Sequence, residues 1–307
     1  MNWKDALADR SSIPIIAGPT ASGKTELGIK LAERLDGEII SADSRQIYRG
    51  MTIGTSTPVN PPVPYHMTGF LDPNERFSAM KFARIARNLI EDILARGKLP
   101  IIVGGTGLYI KALTEGFFEG PAEFPQIREE LEKRRNKGEK LYKLLEKLDP
   151  ETAERVHPND LIRIQRALEV SIATGKPISA WQKEGNYQKL EYPTKLFGMS
   201  IPRKKLYERI NSRVITMINS GWIEETRRLL NNGYSRDDPG ICSLGYPQII
   251  DYIEGKEELD SIISAIQKKT RNYAKRQITW FRKASRIIWV EPADAIENII
   301  RECRLAV

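Results

Sequence analysis

The sequence has few of the features that mark secreted or membrane proteins. Among its 307 residues are two cysteines, Cys242 and Cys303, which are too few for a disulfide framework and lack the spacing of metal ligands. No apolar run approaches the ~18 residues of a membrane span. The segment Met1–Arg10 is polar and mixed in charge, unlike the core of a signal peptide. We therefore expect a protein of the reducing cytoplasm without membrane association.

Negative charge is absent from one part of the chain. The formal net charge is +8, and Lys268–Arg286 holds eight basic residues and no acidic residue. Interleaved with them are Tyr273, Trp280 and Phe281. Because cations neutralise nucleic-acid phosphates and aromatic rings stack on bases, the segment predicts an RNA-binding surface that includes Lys275 and Arg276. The alternative is a solvated basic helix whose aromatic side chains face the core.

A glycine loop near the start of the chain carries the clearest chemical signal. It follows a short apolar run, Ile15–Ala17, and precedes a segment with leucines at helical spacing. The pattern G-x-x-x-x-G-K-[ST] is matched by Gly18, Pro19, Thr20, Ala21, Ser22, Gly23, Lys24 and Thr25. In this context the loop amides and the helix N-terminus bind phosphate, Lys24 adds positive charge, and Thr25 offers its hydroxyl to Mg²⁺. The motif predicts phosphate binding without specifying the reaction.

Two further predicted strands end in polar loops. Glu38–Ser41 leads to Asp43, and Leu99–Val103 runs into a second glycine loop that contains Thr106. Because the carboxyl ends of parallel strands share one edge of a sheet, Lys24, Asp43 and Thr106 should converge on the phosphate site. Asp43 could hold Mg²⁺ or a metal-bound water, act as a general base, or cap a helix. Thr106 could donate a hydrogen bond or belong to an ordinary strand-to-helix turn.

The alternation of short apolar strands and amphipathic helices predicts an α/β fold. We expect a P-loop NTPase-like parallel sheet flanked by helices, formed by residues 1–120 and 195–307. Gln126–Ile172 is charged and helical and follows a Gly/Pro-rich stretch, so residues 121–194 are assigned to an all-helical insertion domain. Other predictions are an exposed loop at Thr52–Pro64, helices at Phe77–Arg96 and Lys204–Leu230, a helix starting within Lys256–Ser264, and strands at Thr194–Ile201 and Arg286–Val290.

Five segments occur in an order and combination that resemble one family. They are GPTASGKT at Gly18–Thr25, SADSRQIYRG at Ser41–Gly50, VGGTGLY at Val103–Tyr109, HPNDLIRIQRALEV at His157–Val170 and TRNYAKRQITWFR at Thr270–Arg282. Together they are similar to the tRNA dimethylallyltransferases, also called tRNA isopentenyltransferases, and they span most of the chain. The P-loop alone is common to many proteins, whereas DSRQIY and GGTGLY placed after it are far more specific.

The resemblance implies a reaction and a set of site residues. A dimethylallyl group would pass from dimethylallyl diphosphate to the exocyclic N6 amine of the adenosine 3′ of the anticodon in tRNA, with release of diphosphate and Mg²⁺ as cofactor. The resemblance implies that Asp43 is the general base, that Thr106 helps to hold the target adenine of the tRNA, and that Arg213 assists the diphosphate. The implied contacts to the tRNA anticodon stem-loop are Asp43, Ser44, Arg45, Gln46, Thr106, Arg128, Ile162, Arg163, Ile164, Gln165 and Arg166.

Two other functions fit parts of the same sequence. A P-loop kinase acting on a small molecule or nucleotide would bind ATP, but it leaves the basic segment unexplained and the chain has no evident adenine-specific motif. A non-catalytic RNA-binding module would bind RNA without forming a covalent product. We favour the transferase and expect it to act as a monomer.

Overall fold

A computed structural model describes residues 3–9, 11–116, 124–184, 189–284 and 286–305. Within them, six strands form one parallel sheet in the order β3-β2-β4-β1-β5-β6. The strands are β1 (Ile13–Ala17), β2 (Gly37–Ser41), β3 (Tyr65–His66), β4 (Leu99–Gly104), β5 (Thr194–Met199) and β6 (Ile287–Val290). The helices are α1 (Trp3–Asp9), α2 (Lys24–Leu35), α3 (Thr52–Thr55), α4 (Ala79–Ala95), α5 (Gly107–Thr114), α6 (Pro125–Asn136), α7 (Leu141–Leu148), α8 (Pro150–Arg155), α9 (Leu161–Thr174), α10 (Ile178–Glu184), α11 (Arg203–Asn219), α12 (Trp222–Asn231), α13 (Tyr246–Ile253), α14 (Leu259–Arg282) and α15 (Ala295–Cys303).

The centre of the sheet is buried on both faces. Every residue of β1, β2 and β4 is buried, as expected for short apolar strands of a parallel sheet that helices cover on both sides. The register places Ile15 of β1 beside Ile102 of β4 and Leu196 of β5. The predicted parallel sheet flanked by helices is therefore confirmed, and the loops that follow β1, β2 and β4 emerge at the same edge.

The chain divides into two compact units. One comprises Met1–Thr114 with Leu190–Val307 and holds the sheet, and the other comprises Glu115–Lys189. The second unit has its own small core, in which Leu131, Leu145 and Ile164 are buried. The predicted boundary between residues 120 and 121 lies outside the described residues. Residues 190–194, which the sequence assigned to the insertion, belong to the sheet-containing unit, since β5 begins at Thr194.

Two predicted elements differ from the structure. The segment Thr52–Pro64 begins with a short helix, α3, that is half-buried rather than an exposed loop. A Cβ on Gly54 would lie 2.2 Å from Trp222 Nε1, so close packing and not solvent surrounds this residue. The predicted helix Lys204–Leu230 is interrupted, because Gly221 has a φ of 94° and starts a second helix, α12.

Several features were not predicted from the sequence. Strand β3 and helices α1 and α15 were not predicted, because their local signals are weak. Helix α14 was predicted and begins at Leu259, within the expected segment. His66 of β3, which had no predicted role, pairs with buried Glu38 at 2.7 Å. Glu38 also accepts a hydrogen bond from Arg96, so this histidine belongs to a hydrogen-bond network around a buried carboxylate. In the part of the chain described, no helix combines the length and apolar character needed to cross a bilayer.

Candidate active site

The first glycine loop, Gly18–Thr25, connects β1 to α2 in the central position of the sheet. Its backbone is tightly turned, with left-handed φ values of 62° at Ala21 and 89° at Gly23. Glycine adopts such a φ without the steric cost that a Cβ brings. The Lys24 ammonium folds back over the loop and donates a hydrogen bond to the Pro19 carbonyl oxygen at 3.3 Å. The loop therefore has the strand, turn and helix that phosphate binding requires.

Lys24 lies in a strongly perturbed environment. Burial is the main cause that lowers its pKa to about 8. The Asp43 carboxylate partly opposes that decrease in pKa, and the Arg213 guanidinium adds to it. Lys24 after β1, Asp43 after β2 and Arg213 on α11 are therefore close enough to affect one another's charge. Two cations and one carboxylate thus share a site into which an anionic ligand would bring compensating charge.

Asp43 occupies a turn rather than the start of a helix. Its Oδ1 accepts a hydrogen bond from the Arg45 backbone N–H at 2.9 Å, and residues 44–47 form a turn, so the helix-capping alternative does not apply. The next amide, Ser44 N–H, donates to Thr106 Oγ1 at 3.0 Å. Thr106 N–H in turn donates to the Ala42 carbonyl at 3.1 Å. The loops after β2 and β4 therefore lie together, as predicted.

Arg213 is positioned by the α3 segment. Its Nε donates to Ser56 Oγ at 3.0 Å, and burial lowers its pKa while Asp43 raises it. The Ser56 carbonyl accepts from Gln46 Nε2 at 3.3 Å, and Gln46 Oε1 accepts from Ser41 at 2.8 Å. Gln46 is only 6% exposed, and its assignment as a tRNA contact stays a prediction. Its amide holds the α3 segment against the end of β2.

A buried carboxylate also supports the α3 segment. The Glu225 carboxylate of α12 accepts hydrogen bonds from the backbone N–H groups of Ile53 at 2.7 Å and Gly54 at 3.0 Å. It also accepts from the Tyr246 hydroxyl at 2.7 Å. A buried carboxylate needs such donors to offset the loss of hydration. Glu225 was not predicted from the sequence, because its partners lie far from it along the chain.

Some of these residues line one cavity. Its polar lining includes Lys24, Asp43 and Arg213, and its apolar lining includes Val214 and Met217. The remaining lining residues are Thr20, Arg45, Gly54, Thr55, Ile210, Trp222, Ser243, Leu244, Thr270, Tyr273 and Gln277. A site lined by both cations and aliphatic side chains suits an amphipathic anion. Among the described residues Thr106 is not part of the lining and instead holds the turn that carries Asp43.

The basic segment forms the second half of α14. Lys275 and Arg276 are exposed, and the Arg276 guanidinium carbon lies 5.6 Å from the centre of the Tyr273 ring. Phe281, in contrast, is buried, so this aromatic side chain faces the core, as in the alternative interpretation of the segment. Arg45, a predicted tRNA contact, donates to the Pro239 carbonyl oxygen at 3.0 Å while its side chain stays exposed.

The predicted RNA contacts of the helical unit form a separate group within that unit. The buried Glu169 carboxylate pairs with Arg128 at 3.0 Å and with Arg166 at 3.4 Å. Ile162 is 82% exposed at the start of α9, whereas Ile164 is fully buried. The Ile164 side chain therefore packs inside the unit, and its predicted contact to tRNA stays a prediction. The other predicted contacts, Arg163 and Gln165, are exposed and half-buried respectively, with Arg163 paired to Asp160 at 3.1 Å and Gln165 Nε2 bonded to the Arg128 carbonyl at 3.2 Å.

Known proteins resemble this chain over most of its length. A family model described as IPP transferase matches residues 46–284, and one described as isopentenyl transferase matches residues 11–76. The chain is 47% identical over 296 residues to tRNA dimethylallyltransferase 2 of Geotalea uraniireducens, covering 95% of this chain and 96% of that protein. It is 45% identical over 281 residues to tRNA dimethylallyltransferase of Thermotoga petrophila, covering 90% and 91%.

Solved structures show the same similarity. The tRNA isopentenylpyrophosphate transferase of Bacillus halodurans is 37% identical, with a TM-score of 0.68 over 96% of this chain and 95% of that chain. A eukaryotic dimethylallyltransferase, whose structures were described as snapshots of the enzyme acting on tRNA, is 29% identical. Its TM-score is 0.78 over 94% of this chain and 78% of that chain.

Proposed function

Because this chain belongs to the IPP transferase family, that of the tRNA dimethylallyltransferases, we propose that it catalyses the corresponding prenyl transfer. A dimethylallyl group passes from dimethylallyl diphosphate to the exocyclic N6 amine of the adenosine 3′ of the anticodon in tRNA, and diphosphate is released. The observation that carries this proposal is the cavity that brings Lys24, Asp43 and Arg213 together beside aliphatic side chains.

Asp43 is the proposed general base. An exocyclic aromatic amine is a poor nucleophile, so the reaction needs a group that accepts its proton as nitrogen attacks the allylic carbon. The new bond joins N6 to that carbon, the bond from carbon to the diphosphate oxygen breaks, and the proton goes to the carboxylate. The Arg45 N–H fixes one carboxylate oxygen of Asp43. Thr106 supports the same turn through Ser44, and in the proposal it also helps to hold the target adenine.

The other side of the cavity serves the leaving group. Lys24, Arg213 and the amides of Gly18–Thr25 supply positive charge and hydrogen-bond donors where negative charge develops on the departing diphosphate. Burial strengthens these interactions because water is excluded from the site. Val214 and Met217 provide apolar surface suited to the dimethylallyl group.

We propose Mg²⁺ as cofactor, with the Thr25 hydroxyl as its protein ligand. The oxygen donors at this edge, Thr25 and Asp43, are of the kind that Mg²⁺ prefers. Over the residues that the structure describes, no group of three His, Cys, Asp or Glu side chains could hold a metal ion. Substrate phosphates and water would therefore complete the coordination, and the ion would supply positive charge to the diphosphate.

For tRNA, the proposal assigns binding to basic side chains around the reaction site and in the helical unit. Lys275 and Arg276 are exposed on α14, and Arg163 is exposed on α9. Contacts of this kind attract the phosphate backbone and hold its register. They would offset the few kcal/mol needed to move the target adenosine out of its stack. A cytoplasmic monomer is part of the same proposal.

The test is to incubate the protein with dimethylallyl diphosphate, Mg²⁺ and tRNA, digest the tRNA, and search the nucleosides by mass for dimethylallyl adenosine. We expect Asp43→Asn to reduce product formation by about 10²–10⁴-fold with tRNA affinity nearly unchanged. Equal losses of tRNA binding and activity would contradict the assignment of Asp43 as base. Transfer of labelled γ-phosphate from ATP to an acceptor, without prenylated adenosine, would contradict the reaction itself.

A further inference from the structure

Gln277 connects the basic helix α14 to two loops of the proposed active site. Its side chain is 6% exposed and uses both ends of its amide. Oε1 accepts a hydrogen bond from the Thr20 backbone N–H at 2.9 Å, and Nε2 donates to the Gly105 carbonyl oxygen at 2.9 Å. A backbone N–H can only donate and a carbonyl can only accept, so the two partners determine the orientation of the amide.

The second glycine loop, Gly104–Gly107, is shaped to admit side chains from α14. A Cβ on Gly105 would lie 2.3 Å from Gln277 Nε2, and one on Gly107 would lie 2.0 Å from Trp280 Nε1. Gln277 and Trp280 are three residues apart and therefore lie on one face of the helix. Two glycines of this loop thus make room for α14, which is a packing requirement rather than a requirement of a ligand.

The neighbouring residues Lys275 and Arg276 are exposed, while Gln277 points into the protein and lines the cavity with Thr20 and Lys24. One continuous helix therefore carries both the proposed RNA-binding cations and the amide that ties the P-loop to the second glycine loop. The Thr20 N–H lies in the loop proposed to bind diphosphate, and Gly105 is next to Thr106, which holds the Asp43 turn.

We propose that Gln277 is a positioning residue for the transfer reaction. By bonding to Thr20 and Gly105 at once, it sets the spacing between the diphosphate-binding loop and the turn that carries the general base. This inference rests on the proposed function for its kinetic consequences. Its effect on the first glycine loop can be measured without any transfer.

The test compares Gln277→Met with Gln267→Met in the full chain. Methionine keeps the volume of glutamine and removes both hydrogen bonds. Gln267 is the matched control, because it lies on the same helix and donates through Nε2 to a backbone carbonyl, that of Asn211, at 3.2 Å. The measurements are the melting temperature, tRNA affinity, affinity for inorganic diphosphate by calorimetry, and kcat and KM for dimethylallyl diphosphate.

For Gln277→Met we expect affinity for inorganic diphosphate to fall about tenfold and kcat to fall at least as much, because buried partners are left unpaired. tRNA affinity should stay within about twofold, since Lys275 and Arg276 remain, and phosphate contacts by such cations dominate RNA affinity. Gln267→Met should leave the diphosphate affinity and kcat of the wild type unchanged. Its melting temperature should fall less than that of Gln277→Met, because it removes one hydrogen bond of a half-buried side chain rather than two of a buried one.

Two outcomes would overturn the inference. One is a Gln277→Met protein with wild-type diphosphate affinity and kcat. The other is a general loss, in which stability, tRNA affinity and kcat fall together in both methionine variants. If no form of the protein makes prenylated adenosine, but Gln277→Met still weakens diphosphate binding while Gln267→Met does not, the proposed function fails and the positioning of the first glycine loop stands.

Discussion

The two glycine loops of the sheet edge look alike in sequence and differ in what their glycines do. In the first, Gly23 has a φ of 89°, and an added Cβ would meet no atom closer than 3.9 Å. In the second, none of the glycines has a positive φ. A Cβ on Gly104 would nevertheless lie 2.1 Å from the Ala42 carbonyl oxygen. Gly23 of the first loop is therefore needed for its backbone conformation. The glycines of the second loop, like Gly18 of the first, are needed for space.

This difference separates ligand binding from packing. The first loop contributes Thr20 and Lys24 to the cavity, whereas the second contributes no described residue to its lining. The second loop acts through its neighbours, because Thr106 holds the Ser44 amide and Gly105 receives the Gln277 amide. Changes in the first loop should therefore affect diphosphate chemistry, and changes in the second should affect stability or geometry.

The largest effect should come from Lys24→Met in the first loop. Loss of the buried ammonium removes the positive charge that stabilises the departing diphosphate. We therefore expect kcat/KM for dimethylallyl diphosphate to fall about 10³-fold. The free energy of unfolding should not fall, because burial already disfavours the charged form of this lysine. Lys30→Met on the exposed side of α2 is the control, since Lys30 pairs only with Glu26 in the described structure. A comparable loss of activity in that control would refute a specific role for Lys24.

In the second loop, Gly104→Ala should act on stability. The Cβ would collide with backbone of the neighbouring strand, which cannot move aside, so we expect a loss of about 3 kcal/mol in the free energy of unfolding. Urea denaturation followed by circular dichroism measures it. Gly255→Ala is the comparison, because Gly255 has a φ of 70° and open space around it. Its expected loss is about 1 kcal/mol, and an equal loss at both positions would remove the distinction drawn here.

Thr106→Val should have an intermediate effect on activity. Valine keeps the shape of threonine but leaves the Ser44 N–H without its acceptor, so the Asp43 turn loosens and kcat falls about tenfold. Thr106→Ser retains a hydroxyl and should keep most of the activity. Single-turnover kinetics with saturating tRNA would separate this effect from binding. Equal activity of the valine and serine variants would show that the hydroxyl is not needed.

The smallest effect concerns pH. As pH rises through the Lys24 pKa of about 8, the ammonium loses its proton, and kcat/KM should fall up to tenfold per pH unit. Lys24→Arg keeps a charge that does not titrate in this range, so its profile should lack that alkaline limb. Thr106→Val should retain the limb, because the second loop has no titratable side chain. Persistence of the limb in Lys24→Arg would assign it to another group.

The sequence predicted the parts of this site that depend on local pattern. The strand, loop and helix around Gly18–Thr25 and the convergence of Lys24 and Asp43 follow from short-range signals and from the geometry of parallel sheets. Residues whose partners are distant in the chain were not predicted. Gln277 accepts a hydrogen bond from Thr20, and Glu225 accepts hydrogen bonds from Ile53 and Gly54. The sequence next to Gln277 and Glu225 does not indicate these distant partners.

Side-chain direction was a second limit. The basic residues and aromatic rings of α14 form one pattern in the sequence, but the helix turns Phe281 inward and leaves Arg276 outside. Ile162 and Ile164 are two residues apart and so point to different sides of α9, one exposed and one buried. The composition of α14 and the resemblance of α9 each pointed to a whole segment, whereas packing selected individual side chains within it.

The strand order has a consequence for how the chain assembles during synthesis. Strands β1, β2, β3 and β4 are complete by residue 104, yet the second edge of β1 pairs with β5, where Ile13 meets Thr194. The ribosome adds the whole helical unit before that partner emerges, and this unit is built from local contacts that form quickly. Until then, the central strand of the mature sheet is an uncovered edge on the nascent chain, a surface that pairs readily with other chains. The interval between residues 104 and 194 is therefore the stage of synthesis at which β1 lacks the partner of its second edge.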